Sequence, residues 1–187
     1  MNYDILGEII DSDNFTVGGG SASAIAGAMA AGIVSMVSKL SMKKPEKLTI
    51  EEYDKISRQA DELAKQLLQG AEDDKRAYCM IKEAYALPKN TAEEKQLRSK
   101  ATSEAGKKAA GVPRVNGYRN KEVNELCLSL IDNSNPAAAS DLYSALYLSE
   151  AGIKGCIQNI KVNLPLIKDD NAIQAFVKDI KILERNK

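Results

Sequence analysis

The sequence predicts an all-α bundle of about six helices, built around one central helix of small residues. Two observations carry the helical fold. Apolar residues recur at steps of three and four along most of the 187 residues, which is the period of an amphipathic helix. The segment Phe15 to Met42 is rich in Ala, Gly and Ser, with no charge between Asp13 and Lys39; as a helix it has no polar face and must be buried all round. No stretch reads as a strand, and there is no internal repeat or low-complexity linker. Residues 1–187 therefore form a single domain, long enough to bury a core.

Taken in order, Tyr3 to Ile10 forms a short amphipathic helix, broken by Asp11-Ser12-Asp13-Asn14. Gly18, Gly19 and Gly20 open the small-residue helix, which runs from about Ser21 to Met42. Its uncharged run is long enough to span a bilayer. It lacks an aromatic belt, however, and the remaining amphipathic helices need a core, so no membrane partner is expected. Met1-Asn2-Tyr3-Asp4 has no positive region, and the apolar run begins too late for a signal peptide. After a turn at Lys43-Lys44-Pro45-Glu46, Thr49 and Glu52 make a capping box. An apolar stripe follows through Tyr53, Ile56, Ala60, Leu63, Leu67, Ala71, Asp74, Tyr78, Ile81 and Tyr85, and Leu87-Pro88 ends it.

Thr91 and Glu94 make a second capping box. Their helix is expected to kink or divide at Val112-Pro113 and to continue from about Val115 to Ile131. Asn135 caps the next helix, with Pro136 at its first position. Leu164-Pro165 closes that helix. Asp169 or Asp170 leads into a last one, whose docking face carries Ile173, Phe176, Val177, Ile180 and Leu183.

Composition removes whole classes of function. Lys+Arg and Asp+Glu are 26 each, so there is no basic excess of the kind a nucleic-acid binder needs. Histidine is absent, and with it the commonest general base and metal ligand. Acid–base chemistry falls to carboxylates, lysines or tyrosines. Cys79, Cys127 and Cys156 are far apart and odd in number; they make no metal or redox pair and read as reduced, buried thiols in the cytoplasm.

Two places suggest chemistry. Asp74 occupies a position in the stripe that calls for an apolar side chain. Burial there would raise its pKa toward the range useful for acid–base work, unless a buried cation pairs with it or a bend exposes it. Gly18–Gly20 either let a ligand touch main-chain N–H groups at a helix start or form a flexible turn. Asp141 and Asn159 share one helix face but are eighteen residues apart, ~27 Å along the axis. They meet only if the helix breaks near Gly152 or Gly155, or if two chains contribute; otherwise the polar face is a solvated side of the helix.

The motifs form a recognisable series. Thr16-Val17-Gly18-Gly19-Gly20-Ser21 before an alanine-rich helix, then Asp74-Lys75-Arg76-Ala77-Tyr78, Leu87-Pro88-Lys89-Asn90-Thr91, Glu93-Glu94-Lys95, Val112-Pro113, Ser134-Asn135-Pro136, Ser140-Asp141 and Asn159/Asn163 run in order from about residue 4 to 165. The series resembles the cyclodeaminase/cyclohydrolase family. This is the folate family of the C-terminal domain of formiminotransferase-cyclodeaminase and of stand-alone methenyltetrahydrofolate cyclohydrolases. Val17 replaces a usual proline and Ser134 a common glycine; neither change removes a chemical group.

The resemblance implies a helical domain that forms a homodimer, with a folate site in a cleft near the subunit contact. The catalytic acid of the family falls on Asp74. Asp141 is carried over as a second charge or a hydrogen-bond partner of the pterin. Asn159 would bind the pterin, and Gly18, Gly19, Gly20 and Ser21 would cradle the ring or tail. Lys89 would meet the tail carboxylates, or is an ordinary exposed loop lysine. No metal and no cofactor beyond the tetrahydrofolate substrate is called for. The implied reaction is hydrolysis of 5,10-methenyltetrahydrofolate to 10-formyltetrahydrofolate, toward which a chain without a transferase domain leans. The alternative is formiminotetrahydrofolate cyclodeamination with loss of ammonia. A rival of another class is a non-catalytic helical interaction module.

Overall fold

The computed structural model describes residues 4–45 and 47–185. Tyr3 and Glu46, placed above in a helix and a turn, lie outside the described residues. Among the described residues there are six α-helices: α1 (Asp4–Ile10), α2 (Gly19–Met42), α3 (Ile50–Ala86), α4 (Ala92–Leu130), α5 (Ala139–Asn163) and α6 (Asp170–Leu183). Single 3-10 turns, Pro136–Ala138 and Leu164–Leu166, flank α5. Among the described residues there is no strand.

The long helices α2 to α5 form the bundle, and α2 packs against all three others. Its small side chains are the reason, since they let neighbouring backbones come close. The 18-residue stretch of α2 with mean hydropathy 1.6 is long and apolar enough to cross a membrane, but 67% of it is buried inside the bundle. Two buried serines of α2 hydrogen-bond carbonyl groups: Ser38 Oγ donates to Tyr53 O at 2.7 Å and Ser41 Oγ to Val37 O at 2.8 Å.

Both capping boxes form, at Thr49/Glu52 and Thr91/Glu94. Asn135 accepts from Ala137 N, and Asp169 from Ala172 N. Past the end of α4, Asp132 adopts φ 58°, the left-handed conformation that commonly closes a helix.

Two amides on α4 set how close the helices stand. Asn116 Nδ2 donates to Gly70 O at 3.1 Å, and Asn120 Nδ2 donates to Asn116 O and Ser23 O. A methyl group at Gly70 would lie 2.0 Å from Asn116 Oδ1, and one at Gly27 or Gly152 would lie 2.2 Å or 2.0 Å from Asn120 Oδ1. Glycines on α2, α3 and α5 thus hold the space that two buried amides fill.

The sequence expectations need three corrections. α4 runs unbroken through Pro113, so of the kink or division expected at Val112-Pro113 the division does not occur. Pro113 is fully buried, and the Ala109 carbonyl, which loses its helical donor to proline, accepts instead from Asn163 Nδ2 at 3.0 Å. α5 is continuous through Gly152 and Gly155, so the helix break left open above does not occur. The apolar stripe of α3 leaves the core in its second half, where Tyr78 is 41% and Tyr85 47% exposed; Arg98 lies over the Tyr85 ring. On α6, Phe176, Ile180 and Leu183 are buried, but Val177 is exposed.

Candidate active site

Asp74 does not fill a gap in an apolar core. It comes off α3 at the first turn of α2, where the backbone N–H groups of a helix start lack helical partners. Gly18, the N-cap of α2, provides no side-chain cap. The half-buried Asp74 carboxylate lies there and accepts a hydrogen bond from Ser21 Oγ at 3.0 Å. The position suits an anion, because the helix dipole presents its positive end.

Gly20 is buried and makes this approach possible, since a methyl group on it would sit 2.3 Å from Asp74 Oδ1. Among the described residues no ion pair involves Asp74. Burial raises its pKa above the ordinary carboxylate value, and hydrogen bonding from Ser21 pulls it part of the way back.

Ser21 can serve both protonation states of Asp74. Its Oγ lies 2.9 Å from Ala71 O as well as 3.0 Å from Asp74 Oδ2. A serine has one hydroxyl proton and two acceptor lone pairs. Facing an ionised Asp74 it donates to the carboxylate. Facing a protonated one it accepts, and turns its own proton to Ala71.

Asp74 opens onto a cavity of about 420 Å³. One wall is the segment Phe15–Gly20. The others come from Tyr78 and Ile81 of α3, Ala109 of α4, Asn159, Val162 and Asn163 of α5, and Leu166. The combination of a few polar groups with flat apolar and aromatic faces suits a small organic ligand. Asn159 Nδ2 donates to Gly155 O at 2.9 Å, and Asn163 Nδ2 to Asn159 O at 2.8 Å and Ala109 O at 3.0 Å.

Of the residues singled out from the sequence, the cavity unites Asp74, Gly18, Gly19, Gly20 and Asn159, with Ser21 directly behind Asp74. Asp141 and Lys89 are not part of it. Asp141 is exposed in the first turn of the unbroken α5, ~27 Å along the axis from Asn159. One chain therefore does not bring it to Asp74. Lys89 is exposed between α3 and α4, and α3 alone carries the chain ~18 Å from Asp74 to its end at Ala86.

Sequence reasoning missed Tyr78 and Ile81 as lining residues, because their spacing made them core. The signal was their distance of four and seven from Asp74, which puts them on its face. Asn163 was noted as a motif position without a role. Cys156 is buried and its thiol is pushed up to about 12 by burial, with the Asp74 charge adding to the rise. Burial likewise raises Cys127 to about 12, so neither is a reactive thiolate; Cys79 is only partly buried. Among the described residues no cluster of His, Cys, Asp or Glu could hold a metal ion.

Known proteins resemble this chain over most of its length. The family model described as formiminotransferase-cyclodeaminase matches residues 4–181. A methenyltetrahydrofolate cyclohydrolase of Methylorubrum extorquens is 32% identical over 166 residues, covering 88% of this chain and 80% of that protein. The formimidoyltransferase-cyclodeaminase of Gallus gallus is 30% identical over 157 residues; the match takes in 82% of this chain but 28% of that longer protein. The crystal structure of a formiminotetrahydrofolate cyclodeaminase of Thermotoga maritima superposes with a TM-score of 0.83 at 24% identity, covering 98% of this chain and 88% of that one. At that identity the likeness establishes the fold alone.

Proposed function

The chain belongs to the formiminotransferase-cyclodeaminase family, and we propose that it hydrolyses 5,10-methenyltetrahydrofolate to 10-formyltetrahydrofolate. The observation that carries this reading is Asp74: a carboxylate at the edge of a ligand-sized cavity, with a raised pKa, a serine behind it and, among the described residues, no cation paired to it. The methenyl substrate is a cation with an electrophilic amidinium carbon, and a carboxylate both stabilises that charge and moves protons.

Asp74 accepts a proton from water as the water oxygen bonds to the amidinium carbon, giving a carbinolamine. The bond from that carbon to N5 then breaks as the formyl carbonyl forms. Asp74 returns a proton to N5, and the hydroxyl proton leaves to solvent. Ser21 keeps Asp74 hydrogen-bonded in both states. Asn159 binds the pterin, and the Gly18–Gly20 backbone lies along its face. The chemistry assigned to these side chains requires no metal or redox cofactor. An extended glutamyl tail would have to leave the cavity to meet Lys89, and Asp141 could join a site only through a second chain.

The family description and the cyclodeaminase relatives favour a second reading, in which a folate nitrogen attacks a formimino carbon and ammonia leaves. The match to the cyclohydrolase spans most of both proteins, which supports the first. Loss of methenyltetrahydrofolate absorbance tests hydrolysis, and ammonia release from formiminotetrahydrofolate tests the alternative. Inactivity in both assays, with no folate binding, would leave a helical interaction module.

The reading includes a homodimer in the cytoplasm. In support, α2 leaves an uncharged strip at the surface, where Met29 is 47% and Met36 45% exposed. Apolar patches of this kind mark interaction sites.

A further inference from the structure

Asn163 has its amide orientation fixed by a proline on another helix. In an uninterrupted α-helix the Ala109 carbonyl would accept from the N–H of residue 113. Residue 113 is a buried proline, which has no N–H. Asn163 Nδ2 supplies the missing donor at 3.0 Å and also donates to Asn159 O at 2.8 Å. Both amide hydrogens are engaged. Turning the amide over would set Oδ1 against two carbonyl oxygens, so the network permits one orientation.

The consequence is an acceptor with no choice of role. Asn163 lines the cavity, and among the described residues nothing donates to its Oδ1. Asn159, also on the wall, uses one Nδ2 hydrogen on Gly155 O and keeps a second hydrogen and its Oδ1. The pair therefore offers acceptor, acceptor and donor. The 2-amino-4-oxopyrimidine edge of a pterin presents the complement: the 2-amino group and N3–H donate, and O4 accepts.

Resting on the folate reading above, we propose that Asn163 and Asn159 together read this edge, with Asn163 Oδ1 accepting from the 2-amino group. Asn163 is then a binding residue, and Pro113 a positioning residue that acts through it. A site built to hydrogen-bond a donor rejects an analogue lacking it, because its own polar group is left unpaired.

The test compares binding of tetrahydrofolate with that of its 2-desamino-2-methyl analogue, by titration calorimetry, in wild type, Asn163→Ala and Pro113→Ala. Helicity and Tm are followed by circular dichroism. Wild type should prefer the 2-amino compound by about 10–100-fold. Asn163→Ala should lose affinity for that compound alone, so the preference falls below ~3-fold. Pro113→Ala keeps Asn163 but restores a competing N–H for Ala109, which weakens one of the two bonds that orient the amide, so the preference should fall several-fold without loss of helicity.

Equal weakening of both compounds in Asn163→Ala, or a wild type that binds both alike, overturns this proposal and leaves the folate reading intact. If Asn163→Ala does not fold, an unchanged preference in Pro113→Ala overturns it. A wild type that binds neither compound overturns the folate reading and this proposal with it.

Discussion

A methyl group on Gly20 would stand 2.3 Å from Oδ1 and 2.5 Å from Oδ2 of Asp74. The carboxylate therefore fits against the start of α2 only because residue 20 has no side chain. The obstructing atoms are the end of a movable side chain, so Gly20→Ala should leave the fold intact and displace the acid. Alanine within a helix even gains about 0.5–1 kcal/mol over glycine. We expect unchanged or slightly raised Tm, with turnover of methenyltetrahydrofolate reduced about 10²-fold, as misplacing a catalytic group does. Wild-type turnover would show that the contact has no part in the chemistry.

Asp74→Asn keeps the shape and removes the base. It should bind folate and lose about 10²–10⁴ in turnover. Stability should move the other way. Burial raises the folded pKa of Asp74 above its ordinary value of 3.8, so the folded protein holds that proton more tightly than the unfolded chain does. Stability from this group is fully present below pH 3.8 and declines as pH rises through the raised pKa, above which the cost of the buried charge is complete. Asp74→Asn should therefore be more stable than wild type at pH 7, by about 1 kcal/mol. Parallel denaturant titrations at pH 7 and near pH 4 check this, and the advantage should shrink at the lower pH.

The same raised pKa sets a kinetic expectation. As a base Asp74 works ionised, so kcat/KM should rise with pH through a midpoint above 3.8. Ser21→Ala removes the hydroxyl that stabilises the ionised form and should move that midpoint to higher pH. A midpoint that stays in place in Ser21→Ala would mean that the serine does not act on the proton.

Gly152→Ala tests the packing. The added methyl would meet Asn120 Oδ1 at 2.0 Å and the backbone oxygen of Ser23 at 2.9 Å. The backbone cannot step aside as a carboxylate can. Overpacking of this kind typically costs about 1–3 kcal/mol, visible as a lower denaturation midpoint.

Dimer formation through the exposed strip of α2 is open to a charge test. Replacing Met29 and Met36 together by Glu should yield monomers in sedimentation velocity with helicity retained. A dimer that persists at the wild-type affinity would move the contact elsewhere.

Periodicity, caps and composition determined much of this protein without coordinates. Thr49/Glu52, Thr91/Glu94, Asn135 and Asp169 act through bonds to residues two or three positions away, so local sequence carries them. The uncharged small-residue run announced α2 as the central helix, and a misplaced acid in a stripe pointed to Asp74. What the stripe could not show is where α3 leaves the core. Tyr78 and Ile81 keep the core spacing yet line a cavity, because burial depends on which helices lie alongside.

Only the tertiary structure decided the rest. It separated Asp141 from Asp74, because α5 is continuous. It assigned Gly20 to the carboxylate and the glycines of α2, α3 and α5 to two asparagines. It also joined Pro113 to Asn163, 50 positions away, through one carbonyl. Hydrogen bonds over a few residues are written in the local chain; the space beside a glycine and the partner of an orphaned carbonyl belong to whichever helix packing brings there.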